Sequence, residues 1–280
     1  MIVKVLVDNT AGSAENCPKL CGEWGLSVHV EFEGGRYLLD TGATGLFVRN
    51  AASMGVDLSL VDMGILSHAH YDHAGGLAAF FEKNKAAPFY LRAGTDENCY
   101  HTHRIFGPIA YHEYIGIHYG WLRQFASRIE YVEGDRLIAP NVYLIPHSTP
   151  GLDAIGKMAH LSVKEGNRYR DDSFKHEQSL VFDTMNGLVV MNSCCHAGAD
   201  NIVKEIETAF PGKKIYALLG GFHLFRYPDK LVCDFAERLR ALGVKHIYTG
   251  HCTGDNAFDI LREILGERVE KMYTGMSIEI

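Results

Sequence analysis

The chain has 280 residues, a net charge of -7, 47% hydrophobic and 22% charged residues, the make-up of an ordinary globular protein with enough apolar material for one large layered domain or two small ones. The acidic balance and the lack of a long Lys/Arg run argue against a nucleic-acid partner, and no apolar run reaches membrane-spanning length. The opening Met1–Val7 lacks the basic-then-apolar order of a secretory leader, and the seven cysteines show no disulfide framework. The reading is therefore a cytoplasmic protein with reduced thiols, a small-molecule substrate, and no membrane or nucleic-acid partner; oligomeric state is not legible.

Strand patterns come first in the chain: Ile2 to Val7, Leu26 to Phe32, and 36–39 after a Gly34-Gly35 turn. A helix fits Thr44 to Met54, a strand Met63 to Leu66, and a helix Leu77 to Lys85. Strand-like runs recur at Pro88 to Leu91, Arg128 to Val132, Val142 to Ile145, Ser179 to Phe182, Leu188 to Met191, Ile215 to Leu219 and His246 to Tyr248. Between the late ones lie helical patterns at Ile202 to Phe210, Leu231 to Leu242 and Ala257 to Leu265. This order predicts an α/β domain over residues 1–280, with two sheets and helices packed outside them. Residues 94–120 fit least well, being crowded with Tyr100, His101, His103, His112, Tyr114, His118 and Tyr119. They read either as a lid or binding insertion or as a surface excursion or oligomer contact.

The chemistry concentrates at Ser67-His68-Ala69-His70-Tyr71-Asp72-His73, directly after the strand 63–66. Imidazole and carboxylate are the usual nitrogen and oxygen donors to zinc-like ions, and a strand end leading into a loop can aim alternate residues at one point. One ion has no use for all four. Two neighbouring ions do, with His68 and His70 on the first, Asp72 and His73 on the second, and positions left for water and substrate. Such density disfavours the alternative of a polar turn with solvent-facing histidines.

Four ligands cannot fill two coordination spheres, so others must come from later in the chain. Three apolar strands end in candidates: Cys194-Cys195-His196 before Gly198, His223 after Gly220-Gly221-Phe222, and His251-Cys252 after Gly250. Their shared design suggests one edge of one site.

With these residues in view the chain resembles the metallo-β-lactamase-fold proteins: H-x-H-x-D-H at 68–73 is their signature, and Asp40-Thr41-Gly42 matches their upstream Asp motif. A narrower resemblance links Val7-Asp8-Asn9, Glu23-Trp24-Gly25-Leu26-Ser27, Glu177-Gln178-Ser179-Leu180, the Cys194-Cys195-His196 segment, Gly220 to Leu224 and His251-Cys252-Thr253-Gly254 to one branch. That branch bears the name 7,8-dihydropterin-6-methyl-4-(β-D-ribofuranosyl)aminobenzene-5′-phosphate synthase.

The resemblance implies an αββα sandwich of two mixed sheets flanked by helices, and a dinuclear hydrolase in which a metal-bound hydroxide attacks an ester, phosphoester or related bond. It makes Asp40 a support that orients a ligating imidazole. His196, carried by the branch motif, becomes the third ligand of the first ion, ahead of His147 and His176. His251 binds the second ion and His223 serves as general acid or substrate contact, by likeness to the late histidine pair of the tRNA-maturing nucleases of this superfamily. Asp72 anchors the nucleophile as well as the second ion. This chain departs from the superfamily at Cys194, where an Asp usually stands: either its thiolate replaces the bridging carboxylate or it is a small residue packed below the site. Cys195 reads as packing, and His29, His160 and His246 as ordinary strand or surface histidines. Zinc is the first expectation for both ions, with manganese or iron as alternatives. The rival functions are a condensing enzyme, with aromatic side chains of the insertion stacking a pterin ring, and a metal-dependent ligand sensor without catalysis.

Overall fold

The computed structural model describes residues 1–12, 20–106 and 109–280. Cys17 lies outside them; the six described cysteines are free thiols. The first sheet runs in the order Ser277–Glu279, Ile2–Val7, Ser27–Phe32, Gly35–Leu39, Met63–Ile65, Phe89–Arg92 and Ile129–Val132. It is antiparallel up to Gly35–Leu39 and parallel beyond. The second repeats the scheme: Val269–Lys271, His246–Thr249, Ile215–Leu219 and Gly187–Met191 are parallel, and Gln178–Thr184, Val142–Pro146 and Arg136–Ala139 continue antiparallel.

Period-two alternation explains the layers. Val28, Val30, Tyr37 and Leu39 of the first sheet meet Leu180, Phe182, Val189 and Leu219 of the second in one central core. Their strand neighbours face outward. Leu38 and Phe89 pack with Phe47, Leu77 and Phe80 of the helices Leu46–Ser53 and Leu77–Lys83. Val181, Val190 and Leu218 pack with Val203, Val232 and Leu261 of the helices Ala199–Ala209, Asp229–Ala241 and Asp255–Leu265. The result is the expected αββα sandwich. In each sheet the parallel strands point the same way, so the loops at their carboxyl ends, where ligands commonly bind in α/β folds, are gathered on one rim.

A third, wholly antiparallel sheet goes beyond the two expected: Arg168–Asp171, Leu161–Glu165, Cys99–Phe106 and Ile109–Tyr114. Most of the insertion is thus a regular hairpin rather than a stretch of weak periodicity. The apolar alternation that betrays a half-buried strand is missing because much of the hairpin is solvent-exposed. The signal lay instead in its Tyr, Thr and Ile content. The hairpin Leu161–Glu165 to Arg168–Asp171, in which Glu165 pairs with Arg168 across the two-residue loop Gly166-Asn167, was not among the expected elements. The helix Leu152–Met158, which follows Gly151 at φ 87°, is a further addition.

His29 is an ordinary strand histidine by position but costly by environment. It lies opposite Lys4 and Leu38, is fully buried, and neither ring nitrogen has a hydrogen-bond partner among the described residues. Burial first, and then Lys4 and Arg36 against the opposing pull of Glu31, lowers its pKa from 6.5 to about 4. As pH falls through 6.5 the unfolded chain takes up a proton that the folded chain refuses, so this group's contribution to stability is lost between 6.5 and about 4. The His29→Leu variant is expected to gain on the wild type across that window by about 2 kcal/mol. Urea melts at a series of pH values measure the gap, and a constant difference would refute the cause.

Candidate metal centre

Asp40, at φ 59° after the strand Gly35–Leu39, is buried beneath the signature loop. Its Oδ1 accepts from Ser67 N at 2.7 Å, and its Oδ2 from Ser67 Oγ at 2.6 Å and from His73 Nδ1 at 2.9 Å. Because the Ser67 hydroxyl proton goes to Asp40, Ser67 Oγ accepts from His68 Nδ1 at 2.8 Å. One carboxylate therefore fixes two imidazoles, His73 directly and His68 through a serine, with the proton of each on Nδ1 and Nε2 left to bind.

His68, His70 and His196 form a compact trio, their ring centroids 4.6, 4.8 and 4.9 Å apart. The third ring comes from the turn after Met191, where Cys195 adopts φ 48° and the buried Glu177 accepts from His196 N and Ala197 N, both at 2.8 Å. Phe174 stacks on the His196 ring at 4.9 Å and 9°. All three Nε2 atoms are buried without a hydrogen-bond partner among the described residues. Burial, with the neighbouring imidazoles, lowers His68 and His196 well below the usual histidine range and His70 to about 3. Three neighbouring neutral imidazoles with unsatisfied buried nitrogens are expensive unless a cation accepts their lone pairs.

A second group lies beside it. Asp72 Oδ2 stands 3.5 Å from His73 Nε2 and 3.4 Å from His251 Nε2. Asn9 Oδ1 accepts from His251 Nδ1 at 2.9 Å and Asp8 Oδ2 from His251 N at 2.9 Å, so the end of the first strand sets this ring's tautomer as Asp40 sets the others. Burial alone would lower His73, but Asp72 and Asp40 prevail and push it up to about 10. A cation at Nε2 displaces that proton.

Cys194 lies between the groups. Its Sγ is 3.2 Å from His73 Nε2, and it falls within 4.8 Å of donor atoms of His68 and His196 on one side and of His73 and His251 on the other. Burial pushes its thiol well above the usual range, so a thiolate there requires neighbouring cations. The residues present thus fit a divalent metal: His68, His70 and His196 stand on one side and Asp72, His73 and His251 on the other, with Cys194 in reach of donors in both.

His223 is half-buried at φ 50°, its Nδ1 without a partner among the described residues and its ring 4.4 Å from that of His196. Cys252, passed over in the sequence, has its Sγ 3.4 Å from that of Cys194 and accepts from His223 N at 3.2 Å. His147 is turned away from the centre, whereas His176 borders it: donor atoms of His70, Cys99, Asp172 and His176 lie within 4.8 Å of one another. His147 is occupied by Glu205 at 2.7 Å and Ser179 at 2.9 Å, while His176 accepts from Ala69 N and pairs with Asp172 at 3.0 Å, beside His70. Asp8, Asn9 and Glu177 matched the branch motifs, but their work in holding His251 and His196 was not readable from residue type. The donors open into a cavity of 1180 Å³.

The chain has the metallo-β-lactamase fold, and its residues 25–151 match the model of the Metallo-beta-lactamase superfamily. It is 28% identical over 277 residues to the 7,8-dihydropterin-6-methyl-4-(beta-D-ribofuranosyl)-aminobenzene-5′-phosphate synthase of Methanocaldococcus jannaschii, covering 91% of this chain and 89% of that protein. Among solved structures it is similar to Tm1679, a metal-dependent hydrolase of the beta-lactamase superfamily, with 29% identity, a TM-score of 0.83 and coverage of 100% of this chain and 99% of that one. It shares its fold with Zn(2+)-bound PqqB from Methylobacterium extorquens, at 13% identity, a TM-score of 0.56 and full coverage of both chains. No helix among the described residues is long and apolar enough to cross a membrane.

Proposed function

We propose that this protein is a dinuclear metal-dependent hydrolase acting on an ester or phosphoester bond of a small molecule. The observation that carries the reading is the pair of adjoining donor groups whose Nε2 atoms at His68, His70, His196 and His251 are buried without partners among the described residues, on the floor of a 1180 Å³ cavity. Divalent ions held there, zinc first given the nitrogen and sulfur donors, lower the pKa of water toward neutrality and polarise the scissile group.

The chain's own residues supply the rest. Asp72 would help hold the second ion and would accept a hydrogen bond from a water beside it, orienting that water. Cys194 would be in reach of donors in both groups. His223, on the cavity wall, donates a proton to the leaving group. Trp24, Tyr114 and Phe225 form apolar walls that hold the substrate and thin the water around it.

The test is zinc-loaded protein assayed by elemental analysis and against panels of esters, phosphodiesters and phosphomonoesters. About two ions per chain are expected, with one class of substrate turned over and His223→Gln slowing it about 100-fold at unchanged metal content. Tight binding of small molecules with no product in any panel would instead favour a sensor. The synthase reading draws on the 28% identical relative of that name, and product carrying a new carbon–carbon or carbon–nitrogen bond would favour it.

A further inference from the structure

The metal donors account for the floor of the cavity but not for its far wall. There the hairpin Cys99–Phe106 to Ile109–Tyr114, the turn before Leu161 and the segment after His223 bring His101, His103, His160 and Arg226 to the same space. None of them belongs to the donor groups described above.

The wall is built rather than incidental. Glu113 Oε2 accepts from His103 Nε2 at 2.8 Å, and His101 Nδ1 lies 3.2 Å from that same His103 nitrogen. With the proton of His103 Nε2 directed at the carboxylate, a proton on His101 Nδ1 would face it, so the His101 proton lies on Nε2, available as a donor. His160 sits beside it, ring centroids 6.3 Å apart, held at φ 58° while its carbonyl accepts from Thr102 N at 2.7 Å. A non-glycine residue in the left-handed region is costly and is kept only where the surroundings impose it. Arg226 adds a permanent positive charge, with Phe225 5.0 Å beneath its guanidinium. Glu113 is the one carboxylate of this wall, and it is engaged by His103. Burial first, then His103, Arg226 and His160 against the opposing pull of Glu113, lowers His101 to about 4.

We propose that His101, His160 and Arg226 form an oxyanion subsite, remote from the metal donors, that holds a terminal phosphate or carboxylate of the substrate. This rests on the preceding reading only in taking the cavity as the substrate site. The substrate is then an elongated molecule with an anionic end on this wall, an apolar or ring-bearing middle between Trp24, Tyr114 and Phe225, and the reacting bond over Asp72 and His223. Arg226 provides a planar, always-charged fork suited to an oxyanion, and the imidazoles of His101 and His160 supply further N–H donors.

Zinc-loaded protein titrated calorimetrically with phenylphosphonate, and with neutral benzamide as control, tests the assignment. Arg226 is exposed, so Arg226→Met leaves the fold intact, and its melting temperature and zinc content verify that. Phenylphosphonate affinity is expected to fall at least about tenfold in Arg226→Met and again in His101→Gln with His160→Gln, while benzamide binding and zinc content stay unchanged. The subsite is also expected to keep phenylphosphonate binding in the His68→Ala/His70→Ala variant. Equal affinity in wild type and Arg226→Met would overturn the proposal. So would loss of binding confined to the metal-ligand variant, which would put the anion on the ions instead. Acetate and inorganic phosphate as competitors separate the two oxyanion sources. Because every readout is binding, absence of hydrolysis would count against the function proposed above without touching the subsite.

Discussion

Protein carrying His68→Ala and His70→Ala is expected to leave gel filtration with at most about half the metal of the wild type, and its turnover to be at least about 1000-fold lower. The two substitutions remove the two imidazoles that neighbour His196, and a single imidazole cannot hold an ion against water. The second group is affected as well, because Cys194 lies within reach of donors in both and loses the cation that would keep it deprotonated. The effect should be chemical rather than global. Both Nε2 atoms lack partners among the described residues, so their removal relieves a burial cost that partly offsets the cavity created. A melting temperature close to that of metal-free wild type, together with lost metal and turnover, is the expected pattern. Full turnover by metal-free double variant would end the hydrolase reading.

Gly220→Ala is expected to destabilise the protein by more than about 3 kcal/mol, among the largest effects of a single methyl. Gly220 stands at φ 146° where the strand Ile215–Leu219 ends, and a Cβ there would lie 1.7 Å from Asn192 O and 2.7 Å from Asn192 C. The obstacle is backbone and cannot rotate away. Asn192 N donates to Leu219 O at 3.0 Å and Gly221 N to Ser193 O at 2.8 Å, so this contact also sets the turn that carries Cys194 and His196 toward the centre. Metal affinity should therefore fall with stability. Gly212→Ala is the control: it too has a positive φ, 82°, but nothing within 4 Å of the added carbon, and it should cost about 1 kcal/mol. Urea unfolding of both variants decides between steric and purely conformational causes, and equal midpoints would exclude the backbone clash.

Much of the fold was legible because most of its strands and long helices carry strong local periodicity. The run Ile215–Leu219 was read to the residue, and the helix expected at Ala257 to Leu265 is found as Asp255–Leu265. The third sheet was missed for an equally local reason: strands such as Arg168–Asp171 are solvent-exposed along their length, and polar strands leave no apolar alternation to find. The starts of the last three α-helices were read late because first turns such as Asp229 and Lys230 are polar.

The sequence by itself determined that His68, His70, Asp72 and His73 stand together, since six consecutive positions at a strand end cannot separate far enough to belong to different sites. It also marked three later strand ends as candidates. Which of the later residues complete the centre was decided only by tertiary structure. Cys194 Sγ meets His73 Nε2 across 121 positions of chain, and His251 receives Asn9 and Asp8 across 242 and 243. His147 and His176 are no less plausible as ligands by residue type, yet Glu205, Ser179 and Asp172 already occupy their nitrogens. A lone pair is free or occupied according to what long-range packing brings beside it. Local pattern carries no record of that, so the signature motif was readable in isolation, whereas His196 and His251 were singled out only through the family resemblance and stand beside it only in the fold.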